Sequence, residues 1–150
     1  MKKGLALLLT GLLAVTSIPA AAVDIGEIDM TKGTTDWNNP ESYVYNNDTG
    51  VPDKGLYEAV VRDGGGSDGL LTVAEAEALG AFANNYSTDT TINSLKGLEH
   101  FKSLQSIWIY NDPESDSYTS GVTDLSPLKD LEYLWELQLL GNPDLTDLSP

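Results

Sequence analysis

The segment from Gly64 to Glu75 has the length and part of the composition of a calcium-binding loop. It places Asp68 at the fifth ligand position, a glycine at the sixth and Glu75 at the twelfth. However, the first and third positions are glycines, which supply no side-chain oxygen. Thr72 and Glu75 also have the spacing of a capping box, which begins a helix. The capping box is the favoured interpretation, and a calcium site at Asp68 and Glu75 is the alternative.

The chain has few of the residues that usually carry out catalysis. It contains no cysteine, and His100 is its single histidine. A lone histidine without cysteine argues against a zinc site and against a nucleophile–histidine–acid set. The glycines at 64–66 are not followed by the lysine and Ser or Thr of a nucleotide loop. We therefore predict a non-catalytic protein without a cofactor, in which His100 is an exposed turn residue.

Binding residues are predicted on two five-residue segments, 106–110 and 136–140. Aliphatic residues alternate there with other types, which is typical of half-buried strands. Exposed aromatic side chains add nothing to a core and are enriched at binding hot spots. The predicted binding residues, all facing outward, are Trp108, Tyr110, Glu136, Gln138 and Leu140. The alternative is that Tyr118, from an inserted loop, covers the two aromatic residues.

Both segments belong to a repeat that runs from Ile92 to Pro150. Apolar residues spaced mostly three apart recur thirty positions later, and a third copy begins at Leu145 and Leu148. This periodicity predicts an α/β solenoid, a leucine-rich repeat with short parallel strands on its concave face. The opposite wall is expected to contain 3₁₀ or short helical turns near 98–104 and 128–134. The matched residues are Ile92, Leu95, Leu98, Phe101, Leu104, Ile107 and Ile109, and Val122, Leu125, Leu128, Leu131, Leu134, Leu137 and Leu139.

Two details of the repeat remain open in the sequence. Asn142 lies three residues after Leu139. At this position a leucine-rich repeat commonly uses an asparagine side chain to satisfy backbone groups in the turn after the strand. The strict counterpart in the first repeat is Asp112, but Asn111 is adjacent to it. The first repeat is also longer than the second, which places an inserted loop at about 113–121.

Residues 51–91 are predicted to form a helical N-terminal cap that covers the first repeat. Asp53 is a suitable N-cap for a first helix, which the glycines at 64–66 should end. A second helix should begin at Thr72. Its apolar stripe is expected to include Val73, Ala76, Leu79, Phe82 and Ala83, and a polar connection should follow over 84–91.

The N-terminal residues indicate export. Lys2 and Lys3 precede an apolar run and three alanines, so residues 1–22 are predicted to be a cleaved signal peptide, leaving no membrane span. Residues 23–50 are polar and without periodicity, and predict a flexible linker. Without Lys2 and Lys3, six basic residues remain against 23 acidic ones, a net charge of −17. Such a surface disfavours nucleic acid and anionic membranes.

The sequence resembles the internalin-type leucine-rich repeat proteins of Gram-positive bacteria. Residues 122–142, with their Asp-Leu-Ser-Pro-Leu opening, look like one full repeat of that family. Leu95–Leu98 resembles its first repeat, with Gly in place of Pro, and residues 51–56 and 71–75 resemble its helical cap.

The resemblance implies a secreted or cell-surface module that binds a protein or carbohydrate ligand and mediates interaction or adhesion. Residues 92–150 would then hold two complete repeats and a truncated third, as expected of a fragment. The alternative function is a targeting segment of a secreted enzyme, with the catalytic domain beyond Pro150.

Overall fold

The computed structural model describes residues 28–84, 90–114 and 121–150. Two helices come first, followed by three strands, with a 3₁₀ helix ahead of each of the last two strands. In chain order the elements are α1 (Lys54–Gly64), α2 (Val73–Ala78), β1 (Ala81–Ala83), a 3₁₀ helix (Leu98–His100), β2 (Ser106–Tyr110), a 3₁₀ helix (Ser126–Leu128) and β3 (Glu136–Leu140).

The three strands form one parallel sheet in the order β1-β2-β3. Ser106 pairs with Glu136 and Tyr110 with Leu140, so β2 and β3 are in the thirty-residue register of the repeat. The alternation of apolar and other residues therefore predicted both strands correctly, residue for residue. A sheet of three strands does not by itself establish a solenoid, which stays a prediction.

The two 3₁₀ helices contact each other in the connections that lead into β2 and β3. The first lies where the sequence predicts it. The second, Ser126–Leu128, ends at the residue where a turn was expected to begin, and Pro127 occupies its first turn. Proline fits there because the first backbone N–H groups of a helix have no partner within it.

The core consists of the inward residues of the sheet, the apolar residues of the turns and the buried faces of the helices. Ile107 and Ile109 of β2 are completely buried, whereas Leu137 of β3 is exposed to 38%. The core residues are Val44, Val51, Leu56, Ala59, Val60, Leu71, Val73, Ala76, Leu79, Phe82, Ile92, Leu95, Leu98, Phe101, Leu104, Ile107, Ile109, Val122, Leu125, Leu128 and Leu131. Burial is thus deepest around β2 and decreases toward β3.

Asp53 caps α1 as predicted and also ties that helix to the first repeat. Its Oδ1 accepts a hydrogen bond from the Leu56 backbone N–H at 2.9 Å. Its Oδ2 accepts from the N–H groups of Asn93 and Ser94 at 2.9 and 3.2 Å. One carboxylate therefore accepts hydrogen bonds from the first turn of α1 and from the start of the first repeat, which fixes α1 relative to the repeat.

The predicted capping box of α2 is confirmed, but the helix is shorter than its apolar stripe suggested. The helix ends at Ala78, and Ala81–Ala83 form β1 instead of another helical turn. The Gly80 carbonyl accepts hydrogen bonds from the N–H groups of Gln105 and Ser106, which begins the pairing of β1 with β2. Pairing between distant strands therefore overrides the local helical spacing. Phe82 is buried, as predicted, but as a strand residue.

In place of the flexible linker expected over 23–50, the described residues 28–50 are packed against the helical region. Tyr43 and Thr72 form an antiparallel bridge. The Val44 N–H donates to the Leu71 carbonyl, and the Val73 N–H donates to the Ser42 carbonyl, both at 2.8 Å. Val44 is completely buried. The polar composition hid this packing, because side chains such as those of Asn and Thr satisfy the backbone of an irregular segment.

The predicted signal peptide, residues 1–22, lies outside the described residues. Within the ranges that the structure describes, no helix is long and apolar enough to cross a membrane.

Candidate functional site

The outward residues of the three strands form one surface, which we call the outer sheet face. It comprises Ala81, Ala83, Ser106, Trp108, Tyr110, Glu136, Gln138 and Leu140. The structure thus brings together all five predicted binding residues, with Trp108 beside Gln138 and Tyr110 beside Leu140. Trp108 is 40% exposed and Leu140 is 53% exposed. Tyr118, the residue expected to cover the aromatics in the alternative, lies outside the described residues.

Four side chains of the outer sheet face are joined by hydrogen bonds. Ser106 Oγ donates to Glu136 Oε2 at 2.9 Å, and Gln138 Nε2 donates to Glu136 Oε1, also at 2.9 Å. The Tyr110 hydroxyl donates to Gln138 Oε1 at 2.6 Å. Each bond restricts the rotamers of its two partners, so these side chains are held in place before any ligand arrives.

Hydrogen bonds hold the pKa of Glu136 below its usual value. The largest contribution comes from Gln138, followed by Ser106, and Trp108 adds a smaller one. Donors stabilise the ionised carboxylate more than the protonated acid, and desolvation opposes them only in part. The outer sheet face therefore presents a negative charge beside the Trp108 indole at neutral pH.

A groove lies between Trp108 and β1. Its volume is about 180 Å³, and it is lined by Ala81, Phe82, Ala83, Ser106 and Trp108. The groove exists because Ala83 is the strand partner of Trp108 and Ala81 that of Ser106. A methyl group opposite an indole leaves space that a larger side chain would fill.

Asparagine side chains at the ends of the strands fix the sheet around these residues. Asn84, directly after β1, accepts from the Tyr110 N–H at 2.6 Å and donates to the Tyr110 carbonyl at 3.2 Å. Asn111 is only 2% exposed and makes the same pair of bonds with Ile92, at 3.0 and 2.8 Å. Asn142 Oδ1 accepts in the same way from the N–H of Val122, which is the repeat counterpart of Ile92. The counterpart of Asn142 is therefore Asn111 and not Asp112.

Sequence reasoning missed two other exposed aromatic residues. Tyr133 is 65% exposed and Trp135 is 73% exposed, and both precede β3. The signal was available, since both residues fall between the apolar positions of the repeat rather than on them.

The carboxylates of the calcium alternative are engaged in local structure. Glu75 Oε2 accepts hydrogen bonds from the Thr72 N–H and hydroxyl, both at 2.8 Å, which completes the capping box. Asp68 Oδ1 accepts from the Leu70 N–H at 3.1 Å. Among the described residues, no group of three or more His, Cys, Asp or Glu side chains is placed to hold a metal ion.

His100 lies in a 3₁₀ turn, as the sequence suggests, but it is only partly exposed because its ring stacks on Trp37. The ring centroids are 4.0 Å apart and the planes differ by 6°. Burial lowers the pKa of His100, although Glu99 acts in the opposite direction. This contact also attaches residues 28–50 to the first repeat.

No protein-family model matches the sequence, and no curated protein matches it. Two solved structures from Listeria monocytogenes are similar to parts of the chain. Internalin C2 is 26% identical with a TM-score of 0.48, and the match covers 61% of this chain and 37% of that one. The internalin InlF is 24% identical with a TM-score of 0.38, with 59% of this chain and 23% of that one covered. The chain thus spans well under half the length of either internalin.

Proposed function

We propose that this protein is a binding module, secreted or displayed on the surface of a Gram-positive bacterium, that holds a protein or glycan ligand on the outer sheet face. The proposal assigns it no reaction of its own. The observation that carries it is Trp108, which is 40% exposed beside a preformed network of polar side chains.

The exposure of Trp108 supports binding because a large aromatic side chain in water contributes little to folding. A ligand that covers the indole would remove apolar surface from water, and each Å² buried would contribute about 25 cal/mol of favourable free energy. Tryptophan and tyrosine are also the residues in which binding energy is most often concentrated.

The hydrogen-bonded network supports binding because it lowers the entropic cost of association. Tyr110, Gln138 and Glu136 already share hydrogen bonds, so a ligand does not have to order them. Each rotamer-rich side chain that is ordered in advance saves about 0.5–1.5 kcal/mol on binding. The network also offers both donors and acceptors to a polar ligand.

The test compares two pairs of aromatic substitutions. Trp108→Ala with Tyr110→Ala removes the aromatic residues of the outer sheet face. Tyr133→Ala with Trp135→Ala removes the same residue types from outside that face, and serves as the matched control. Binding to a glycan array and to immobilised cell-surface proteins should fall by about thirtyfold or more in the first variant. In the control variant, binding should stay near the wild-type value.

Two results would count against this site. If the Tyr133 and Trp135 variant lost binding while the Trp108 and Tyr110 variant kept it, the ligand would bind before β3 and not on the outer sheet face. If the wild type bound nothing in either format, the binding function itself would be rejected. Thermal melts of all variants establish that the comparison is made between folded proteins.

A further inference from the structure

The groove beside Trp108 has the dimensions of a pocket for one side chain. Its volume is about 180 Å³. Pockets for small-molecule ligands usually range from about 300 to 1,000 Å³. The groove therefore suits a single long side chain projecting from a larger partner.

The walls of the groove differ in chemistry. Ala81 and Ala83 provide an apolar floor, and the Trp108 indole provides an aromatic wall. Ser106, which also lines the groove, donates to the Glu136 carboxylate at 2.9 Å. Ser106 lies two residues from Trp108 on the same face of β2, and Glu136 is its strand partner on β3. An indole next to a carboxylate is an arrangement that attracts cations, since the ring face and the carboxylate are both negative.

The charges around the groove favour the same kind of ligand. Glu136 is the one ionisable residue with a full charge among the eight residues of the outer sheet face. Arg62 lies near the edge of β1, where it hydrogen-bonds the Ala83 carbonyl, but Asp63 pairs with it at 3.0 Å. The whole chain carries a net charge of −15. A basic partner would therefore be attracted to the protein and to this face.

We propose that the groove binds one arginine side chain of a basic partner polypeptide, with its guanidinium stacked on the Trp108 indole and directed across Ser106 toward the Glu136 carboxylate. Its aliphatic stem would lie over Ala81 and Ala83. Arginine fits better than lysine because its planar group stacks on aromatic rings and is more weakly hydrated than an ammonium group. The inference rests on the proposed function, for which it names the chemistry of the partner.

The experiment uses the whole protein and a fluorescent peptide of alternating arginine and glycine. The matched probe replaces each arginine with citrulline, which has nearly the same shape without the charge. Fluorescence anisotropy at physiological salt should show the arginine peptide binding about tenfold more tightly. A lysine peptide should fall between the two.

Three variants locate the binding. Glu136→Gln should weaken the arginine peptide by about fivefold, whereas Asp124→Asn, which removes the same charge from the turn before the second 3₁₀ helix, should change it less than about twofold. Ala83→Leu fills the groove and leaves the Glu136 network in place, so it should also weaken binding. If Ala83→Leu fails to fold, the comparison of Glu136→Gln with Asp124→Asn still tests whether Glu136 takes part in binding arginine.

Several results would overturn the inference. Equal binding of the citrulline peptide, equal losses in Glu136→Gln and Asp124→Asn, or no binding of the arginine peptide would each reject an arginine pocket. A glycan that binds through Trp108 without needing Glu136 would also reject it, while supporting the proposed function. The proposed function is tested separately by the Trp108 and Tyr110 comparison, which does not use the arginine peptide. The arginine pocket can therefore be rejected while the proposed function stands.

Discussion

Trp37 shows how one residue can connect parts of the chain that are distant in sequence. Its indole stacks on His100 and meets the Phe101 ring edge-on, with centroids 6.2 Å apart. Its N–H donates to the Thr49 carbonyl at 2.9 Å. No periodic pattern contains Trp37, so its partners could not be identified from the sequence.

The stack makes folding sensitive to the protonation of His100. Burial lowers the pKa of His100 in the folded protein below the usual value of 6.5, despite the charges of Glu99 and Glu77. Lys102 adds to the lowering. The folded state therefore prefers the neutral ring, and the resulting stability is present above the unfolded pKa and lost as the pH falls below it.

We expect the free energy of unfolding to fall more in the wild type than in His100→Gln when the pH is lowered from about 7.5 to about 5. Urea unfolding at several pH values within this window measures the difference. The window lies above the usual pKa range of carboxylates, so their protonation affects both proteins similarly. Parallel pH profiles would show that the stack does not influence the titration of His100.

At the scale of elements, the turn after β3 depends on the absence of a side chain at Gly141. Gly141 has a φ of +69°, and a Cβ atom there would collide with the Asn111 carbonyl group. Gly69, in the turn before α2, has a similar φ of +73°, but a Cβ atom there would have no neighbour within 4 Å. The two glycines therefore share a backbone conformation and differ in surroundings.

This pair separates backbone strain from steric contact. Gly69→Ala should lower the free energy of unfolding by about 1–2 kcal/mol, the cost of a left-handed conformation for a residue with a side chain. Gly141→Ala should cost at least about 2 kcal/mol more, because β3 or the Asn111 backbone must move. Denaturant unfolding of both variants provides the values. Equal losses would mean that the turn after β3 is not packed against Asn111.

The elements that could be predicted are those with a strong local signal. β2 and β3 follow from alternation inside the apolar repeat, and α1 follows from the Asp53 cap and the glycines that end it. β1 could not be predicted, because Ala81–Ala83 continue the helical spacing of α2 and become a strand only by pairing with β2. Tertiary pairing decides such ambiguous segments.

The same distinction applies to the candidate site. Alternation was sufficient to place Trp108, Tyr110, Glu136 and Gln138 on one face. The groove was not foreseen, because it depends on Ala83 lying opposite Trp108 in a strand that the sequence does not reveal. The hydrogen bonds of the network also depend on the register between β2 and β3.

At the scale of the whole molecule, residues 28–50 are part of the folded unit. They reach the start of α2 through the Tyr43–Thr72 bridge and the first repeat through the Trp37–His100 stack. An exposed ion pair of 3.1 Å between Lys96 and Asp48 adds a further contact with the repeat. These contacts hold together parts of the molecule that the sequence assigns to separate regions.

A truncation series tests this organisation. A chain beginning at residue 51 should be less stable than one beginning at residue 28 by about 3 kcal/mol or more, because it loses the buried Val44 side chain and several backbone hydrogen bonds. Urea unfolding compares the two chains, and Trp37→Ala in the longer chain provides a smaller perturbation. Equal stabilities would instead support the flexible linker expected from composition.

Hydrogen bonds of three asparagine residues hold the chain on both sides of residues 112–120. The Asn111 N–H donates to the Leu140 carbonyl at 3.0 Å, and Asn142 Oδ1 accepts from the Val122 N–H at 2.7 Å. Asn93 Oδ1 accepts from the Gly121 N–H at 3.3 Å. The residues on both sides of 112–120 are therefore anchored independently of the chain between them. Each doubling of that segment would cost only about 0.6 kcal/mol in closure entropy. New sequence could be inserted directly after β2 during evolution or by design, and the register of the sheet would be retained.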